Sequence, residues 1–368
     1  MRRPAARAAV SILILAAAAL TVLAACGAVP APAPLPPELL VGAGDRLARV
    51  DLATGRTLLW RLLPAPAIDL ARSPDGALIG LAMLRGAAFL DPDSLGVRWS
   101  ENLGIVDAVE FAPDGAHAYF LLHPGDDPRE ATAEHTLLEI AVPGGAHGRQ
   151  AHLPARAYDL FLDPAAGAIY STDLVGRTVH RVDLATFAVT DLEIGLGRAP
   201  EVEPHGAFVR VLLPGRTAGE LFALEDTRAT PRLWRLEPAT GKLDPHELPG
   251  AEPPVLGGGP LGDGPGAGLW LFTRSQFLRL GADLRIAATT ALALPDSSPG
   301  YHFAAADRST CVLLAPGSPA GGVPRTRAAW IDLEHPERST EAGARLLDLR
   351  TGPFLLRPRP AALREGRR

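Results

Sequence analysis

The sequence of 368 residues lacks long stretches free of glycine and proline, and it is poor in aromatic residues. Beyond residue 26 the longest such stretch runs only from 177 to 194. Because glycine and proline interrupt helices, this argues against a helical bundle. Aromatic residues make up only 5% of the chain, which argues mildly against strands. The 47% of hydrophobic residues is still enough to fill a core.

Motifs of several catalytic and nucleotide-binding classes are also missing. The sequence contains no G-x-S-x-G, H-E-x-x-H, G-x-x-x-x-G-K-[ST] or C-x-x-C motif. Its formal net charge of −5 and the export signal described below disfavour nucleic acid as a partner. The sequence therefore says more about where the protein resides and how it folds than about what it binds.

The N-terminus reads as an export signal. Three arginines and no acid precede a short apolar stretch at 8–23, which ends in Leu23-Ala24-Ala25-Cys26. This ending resembles a bacterial lipobox, which implies cleavage before Cys26 and a lipid on its thiol. We therefore expect a signal peptide at 1–25, a lipidated cysteine with a Pro/Ala-rich tether at 26–37, and attachment to a membrane in the periplasm or at the cell surface. The alternative is an ordinary secretory signal.

Two turn elements recur along the rest of the chain. One is a strand that ends at an acid before a turn, as in Arg49-Val50-Asp51-Leu52-Ala53-Thr54-Gly55 and Arg181-Val182-Asp183-Leu184-Ala185-Thr186. The other is a Pro-Asp-Gly turn between apolar runs, as in Ser73-Pro74-Asp75-Gly76 and Ala112-Pro113-Asp114-Gly115. Proline presets φ and glycine permits the reversal, so both elements predict hairpins. The first element recurs about every 40–54 residues, which is typical of propeller blades.

These paired elements resemble the YVTN and WD40-like β-propeller repeats over residues 38–358. The resemblance implies an all-β β-propeller. The repeat spacing gives six whole blades and the two terminal fragments add up to about one more, so we expect a seven-bladed β-propeller, with six or eight blades as alternatives, followed by an Arg-rich tail at 359–368. The N- and C-terminal strands are expected to share one blade and so remove the free sheet edges. The expected blades are 67–102, 105–154, 157–195, 200–250, 253–293 and 299–342, with a last one formed by 39–63 and 345–356.

Long connections between the second and third strands of blades are expected on one face of the propeller. We assign three of them, His123–Glu134, Pro214–Thr230 and Pro316–Arg327, and this face is the candidate recognition surface. The first has many potential metal ligands: His123, Asp126, Asp127, Glu130, Glu134 and His135. Such side chains could bind a divalent cation, but no H-x₃-H or similar spacing is present. We therefore expect a solvated, charge-rich loop and assign neither a metal nor a cofactor.

Five polar residues fall early in the expected innermost strands, where side chains can line the central channel: Asp69, Asp107, Asp159, His302 and Asp348. They are the candidate channel-mouth site, while catalytic residues cannot be assigned. Three hypotheses for function remain. The first is a non-catalytic binding module on a membrane-anchored lipoprotein, with a protein or glycan partner in the cell envelope. The second is a YVTN-style lactonase or other hydrolase, and the third is a redox or metal-binding propeller.

Overall fold

The structure is a computed structural model. It describes residues 38–51, 54–125, 134–153, 157, 160–172, 178–193, 208–215, 220–226, 230–237, 242–252, 255, 257–261, 267–273, 275–291, 303–306, 310–320, 323–332, 345–347 and 354–357. Contacts divide the chain into two units, Met1–Pro36 and Pro37–Arg368, of which the first lies outside this part. Within these residues there is no helix with the length and apolar character needed to cross a membrane. The expected signal peptide, tether and tail lie outside them.

The second unit is built from antiparallel sheets of four strands each. Blade 1 contains β4 (Ala67–Arg72), β5 (Ile79–Met83), β6 (Gly86–Leu90) and β7 (Val97–Glu101). Blade 2 contains β8 (Val106–Phe111), β9 (His117–Leu122), β10 (His135–Ala141) and β11 (His147–Leu153). Blade 3 contains β12 (Phe161–Asp163), β13 (Ala168–Thr172), β14 (Thr178–Asp183) and β15 (Val189–Glu193).

Three further blades follow along the chain. Blade 4 contains β16 (Phe208–Pro214), β17 (Leu221–Asp226), β18 (Arg232–Glu237) and β19 (Lys242–Glu247). Blade 5 contains β20 (Gly257–Leu261), β21 (Gly268–Phe272), β22 (Gln276–Leu280) and β23 (Ile286–Ala291). Blade 6 contains β24 (Phe303–Ala306), β25 (Thr310–Ala320), β26 (Val323–Asp332) and β27 (Arg345–Leu347).

Both ends of this unit meet in one composite sheet, which we call the closing sheet. Its strand order is β28-β1-β2-β3, with β1 at Glu38–Ala43, β2 at Arg46–Asp51, β3 at Arg56–Leu62 and β28 at Phe354–Arg357. Strands β1 and β28 pair through Leu39↔Leu356 and Val41↔Phe354. Inner strands contact each other from sheet to sheet: β28 with β4, β4 with β8, β12 with β16, β16 with β20, β20 with β24 and β24 with β28. Blades 2 and 3 meet through one apolar cluster, which completes the ring. The fold is therefore an all-β propeller.

The expected number of seven blades is corrected to six blades of consecutive strands. The closing sheet is not a repeat unit of the chain, because its innermost strand comes from the far end of the sequence. The expected single strand at 345–356 is also wrong, since β27 belongs to blade 6 and only β28 joins the closing sheet. The pairing of the two terminal segments in one sheet is confirmed.

The turns have the chemistry that the sequence predicts. In the Pro-Asp-Gly turns, Gly76 and Gly115 have φ of 72° and 69°, a left-handed conformation that favours glycine. In the other turn type, the carboxylate of Asp183 accepts hydrogen bonds from the backbone N–H and the hydroxyl of Thr186. Asp91 does the same for Ser94, and these bonds hold its pKa well below its usual range.

Candidate metal centre

The candidate site lies at the end of blade 2 where β9 leads into β10. A β-bulge interrupts the pairing of β8 with β9: Val106 pairs with Leu122 and Ala108 with Leu121, so Asp107 is the extra residue. Bulges re-aim a side chain out of the regular alternation of a strand. Here the bulge directs the Asp107 carboxylate to the histidines described next.

Two histidines flank the β9–β10 connection. His123 directly follows β9, and its backbone N–H donates to the carbonyl of Ile105, which extends the ladder with the β8 side by one step. His135 is the first residue of β10. Because Thr136 pairs with Leu122, the same antiparallel register carried one step further places His135 opposite His123. The hairpin itself therefore brings the two imidazoles together.

Three ligand atoms converge at this point. His123 Nδ1 lies 3.1 Å from His135 Nε2, which in turn lies 3.1 Å from Asp107 Oδ2. The third side of the triangle, from His123 Nδ1 to Asp107 Oδ2, is 3.6 Å. The side chains of His123 and His135 are 1% and 0% exposed, and that of Asp107 is 21% exposed. Within the described residues this is the group of three or more His, Cys, Asp or Glu side chains with the spacing of a metal site.

The triangle has the dimensions of a coordination site. The three distances place the point that is equidistant from the three atoms about 1.9 Å from each of them. Zinc bonds to His and carboxylate ligands are slightly longer, at about 2.0–2.2 Å. Asp107, His123 and His135 could therefore hold such an ion together.

Hydrogen bonds among the three groups cannot satisfy all of these contacts at once. An ionised carboxylate only accepts, and each imidazole nitrogen offers either one proton or one lone pair. His135 Nε2 can give a single proton to either His123 Nδ1 or Asp107 Oδ2, although it lies at hydrogen-bond distance from both. Without a cation, at least one of these contacts is therefore left without a hydrogen bond. A positive ion between the three atoms could instead accept a lone pair from each of them.

Of the five predicted channel-mouth residues, Asp107 belongs to this group and Asp69 does not. The carboxylate of Asp69 accepts hydrogen bonds from the backbone N–H of Leu70 and, in the next blade, of Val109, so it connects blades 1 and 2. Burial raises its pKa, and these two bonds oppose that effect. The other three, Asp159, His302 and Asp348, lie outside the described residues.

All three members of the group are candidate residues in the sequence, but they fall in two separate sets. His123 and His135 belong with the acids of their own connection, of which Asp126, Asp127 and Glu130 lie outside the described residues and Glu134 is exposed. Asp107 belongs to the channel-mouth set. The available signal was the position of the two histidines at the ends of adjacent strands, since antiparallel neighbours across a connection must meet.

Two of the three connections assigned to the predicted recognition surface differ from the prediction in the structure. Pro214–Thr230 is not one connection between second and third strands, because it contains β17, the second strand of blade 4. Pro316–Arg327 does join the second and third strands of blade 6, but as a hairpin in which β25 and β26 continue their pairing to Ala320↔Val323. Only the connection in blade 2 remains as predicted, and two of the three residues of the candidate metal centre, His123 and His135, lie at its ends.

Comparisons with known proteins support the fold. No family model and no curated protein matches the chain. Solved structures do match, among them hydrazine synthase from Kuenenia stuttgartiensis (TM-score 0.53, 12% identity, 75% of this chain and 80% of that one). A protein of unknown function from Desulfotomaculum acetoxidans gives a TM-score of 0.58 at 12% identity, with 88% of this chain and 100% of that one covered. Dihydro-heme d1 dehydrogenase NirN in complex with DHE gives 0.55 at 13% identity, covering 88% and 75%. At such identities these similarities show a β-propeller fold and nothing finer.

Proposed function

We propose that this protein is a lipid-anchored, extracytoplasmic β-propeller that binds a divalent transition-metal ion at Asp107, His123 and His135. The observation that carries the proposal is the convergence of two buried imidazole nitrogens and one carboxylate oxygen within 3.1–3.6 Å of one another. Of the three hypotheses from the sequence, this geometry favours the metal-binding or redox propeller. A lactonase and a purely non-catalytic binding module have no comparable geometric support among the described residues.

The donor set indicates the class of metal. Imidazole nitrogens suit zinc, iron, copper and nickel, whereas magnesium and calcium prefer all-oxygen sites. Two histidines and one carboxylate on one side of the ion are typical of catalytic zinc sites and of non-haem iron(II) sites, both of which leave positions open. We therefore expect zinc(II) or iron(II). Two of the similar structures are named as a synthase and a dehydrogenase, so propellers of this shape occur in enzymes.

Zinc titration of the full-length protein after chelator treatment tests the metal site. By isothermal titration calorimetry we expect one zinc ion per chain. We expect His135→Gln and Asp107→Asn to weaken binding by more than the roughly 10- to 100-fold that changes outside the ligand shell cost. His147→Gln is the matched control, because His147 is also in blade 2 but is exposed and pairs with the exposed Glu101. Equal zinc affinity in His135→Gln and His147→Gln would contradict the proposal.

The membrane anchor is proposed from the sequence alone. Arginines, a short apolar stretch and Leu23-Ala24-Ala25-Cys26 are the signals that support it. Metabolic labelling with a fatty acid tests it: the wild-type protein should incorporate the label and Cys26→Ala should not. Incorporation into Cys26→Ala would rule out the lipid on this thiol, without any bearing on the metal site. If both the anchor and the metal are present, an envelope protein or glycan remains the expected further partner.

A further inference from the structure

The outer strand of the closing sheet, β3, has an apolar surface. Within the described residues four large apolar side chains are exposed, and three of them lie in this strand: Leu58 at 49%, Trp60 at 57% and Leu62 at 60%. The outer strand of blade 2, β11, is different, because its exposed positions carry histidine, glycine, arginine and glutamine. Contiguous exposed apolar residues of this kind mark a binding surface.

Two of these residues form a cluster with an arginine. Because side chains alternate along a strand, Trp60 and Leu62 lie on the same face of β3. Leu62 pairs with Arg46 of β2, whose guanidinium lies over the Trp60 ring, 5.2 Å from its centroid. Tryptophan is enriched where a membrane meets water, and arginine lays its carbon chain along apolar surface while its charge stays in water. The cluster therefore has the chemistry of a membrane interface.

The formal charges around β3 are all positive. Residues 52–68, which contain the strand, include Arg56 and Arg61 and no aspartate or glutamate, although the whole chain has a formal net charge of −5. Both arginines are exposed. Arg61 also donates to the carbonyl of Leu95, between β6 and β7, at 3.0 Å. Positive charge beside exposed apolar side chains is attracted to anionic lipid headgroups.

The chain enters the propeller close to this strand. Glu38, the first residue of β1, pairs with Asp51, and Asp51 pairs with Arg56. Two strand spacings therefore separate Glu38 from Arg56, which is about 10 Å, and Trp60 lies about 14 Å further along β3. The proposed lipid on Cys26 is twelve positions before Glu38, a span of at most about 40 Å. A membrane that holds this lipid is within reach of Trp60.

A strand of a second copy is a less suitable partner for this edge. The register of β2 with β3 shifts between Arg49 and Val50, so Leu58 is the extra residue of a β-bulge in β3. Bulges and charged side chains at the edge of a sheet oppose pairing with a further strand. A lipid surface needs no regular backbone ladder, only apolar side chains and positive charge.

We propose that β3 docks on the surface of the membrane that holds the lipid anchor, with Leu58, Trp60 and Leu62 at the level of the headgroups and Arg56 at the lipid phosphates. This rests on the proposed anchor and is independent of the metal centre. Because the tether keeps the strand near the bilayer, docking is an intramolecular step for which weak contacts suffice. Docking fixes which side of the propeller faces the membrane.

Quenching of tryptophan fluorescence by brominated lipids tests this contact. The lipidated protein is reconstituted into phosphatidylcholine vesicles that contain phosphatidylglycerol, with brominated or ordinary acyl chains. We expect brominated chains to quench the wild type and Trp60→Phe to lose most of this quenching. Trp99→Phe is the matched control and should be quenched like the wild type. Trp99 also lies in an outer strand, β7, but its ring packs against Phe89, with the centroids 4.9 Å apart.

A charge variant tests the contact with lipid phosphates. Arg56→Gln should lower the ratio of docked to undocked protein about 5-fold, the effect of one basic residue near an anionic surface. In vesicles of phosphatidylcholine alone, Arg56→Gln and the wild type should be quenched equally. An equal effect of Arg56→Gln in both kinds of vesicle would contradict a contact of this arginine with anionic lipid.

Mass spectrometry of the purified protein shows first whether Cys26 carries a lipid. Its absence would refute the proposed anchor, and this inference with it. A lipidated protein with equal quenching in the wild type and Trp60→Phe would overturn this inference alone. Dimers in sedimentation velocity whose Trp60 is shielded from brominated lipid would also overturn it, since a second copy would then cover β3.

Discussion

The contact of Glu139 with Arg149 allows a quantitative prediction about how blades 2 and 3 are held together. Arg149 Nη2 lies 2.6 Å from Glu139 Oε1, and its Nε lies 2.9 Å from Oε2. The remaining Nη1 donates to the carbonyls of Leu184 and Ala185 in blade 3, at 2.8 and 3.0 Å. The guanidinium also lies over the ring of Phe187, 4.5 Å from its centroid. Glu139 thus orients the arginine that bridges the two blades.

We expect Glu139→Gln to lower the free energy of unfolding at pH 7 by about 2 kcal/mol. Hydrogen bonds to charged groups contribute about 1.5–3 kcal/mol. The Glu139 side chain is 7% exposed, but that of Arg149 is 42% exposed, so the 3–5 kcal/mol for a fully buried pair does not apply. The glutamine amide keeps one acceptor for Arg149, which places the loss within the lower half of the range.

The loss should depend on pH in a defined direction. The hydrogen bonds from Arg149 lower the pKa of Glu139 in the folded protein below its value in the unfolded chain, which is about 4.3. A carboxyl group with a lowered pKa stabilises the fold above the unfolded value, and this contribution is lost as pH falls through the folded value. The difference between wild type and Glu139→Gln should therefore be largest near neutral pH and shrink below about pH 4.

Urea unfolding followed by tryptophan fluorescence at several pH values measures both effects. Glu101→Gln is the control, because Glu101 is 39% exposed and its partner His147 is 42% exposed, so its loss should stay within about 1 kcal/mol. The argument that the pair orients the bridging arginine would be refuted if Glu139→Gln lowered the free energy of unfolding no more than this control does. It would also be refuted if the decrease stayed the same down to low pH.

Two further substitutions test single contacts by the same unfolding measurement. Asp69→Ala removes the acceptor of the Leu70 and Val109 backbone N–H groups and should lower the free energy of unfolding by about 1–3 kcal/mol. Asp114→Ala is the control, because it removes one hydrogen bond in an exposed turn. An equal loss of stability in the two variants would contradict the prediction. Ser171→Ala removes a buried hydroxyl that has no hydrogen-bond partner among the described residues, so the free energy of unfolding of the metal-free protein should stay the same or rise. A loss above about 1 kcal/mol would show that the hydroxyl has a partner in the fold.

The parts of the fold that could be predicted from the sequence are those with local causes. In the Ser73-Pro74-Asp75-Gly76 turn, the Asp75 carboxylate accepts hydrogen bonds from the hydroxyl of Ser73 and the N–H of Ala77, all within five residues. Blade 1 accordingly runs from Ala67 to Glu101, which agrees with the expected bounds 67–102. The strands of blades 4 and 5 are harder to predict from the sequence because some of them contain Pro214, Pro245 and Pro260. These are inner or outer strands, where a missing N–H is tolerated.

The sequence by itself determined the strands, their turns and the meeting of the two ends, because hydrophobic alternation and turn chemistry act over a few residues and the repeat requires closure. Which polar side chains come together was decided by the tertiary structure. Asp107 reaches His135 across 28 positions of sequence because a bulge turns it out of its strand. Leu137 of blade 2 and Val182 of blade 3 belong to one apolar cluster because the two blades pack side by side, and no local sequence pattern records that neighbourhood.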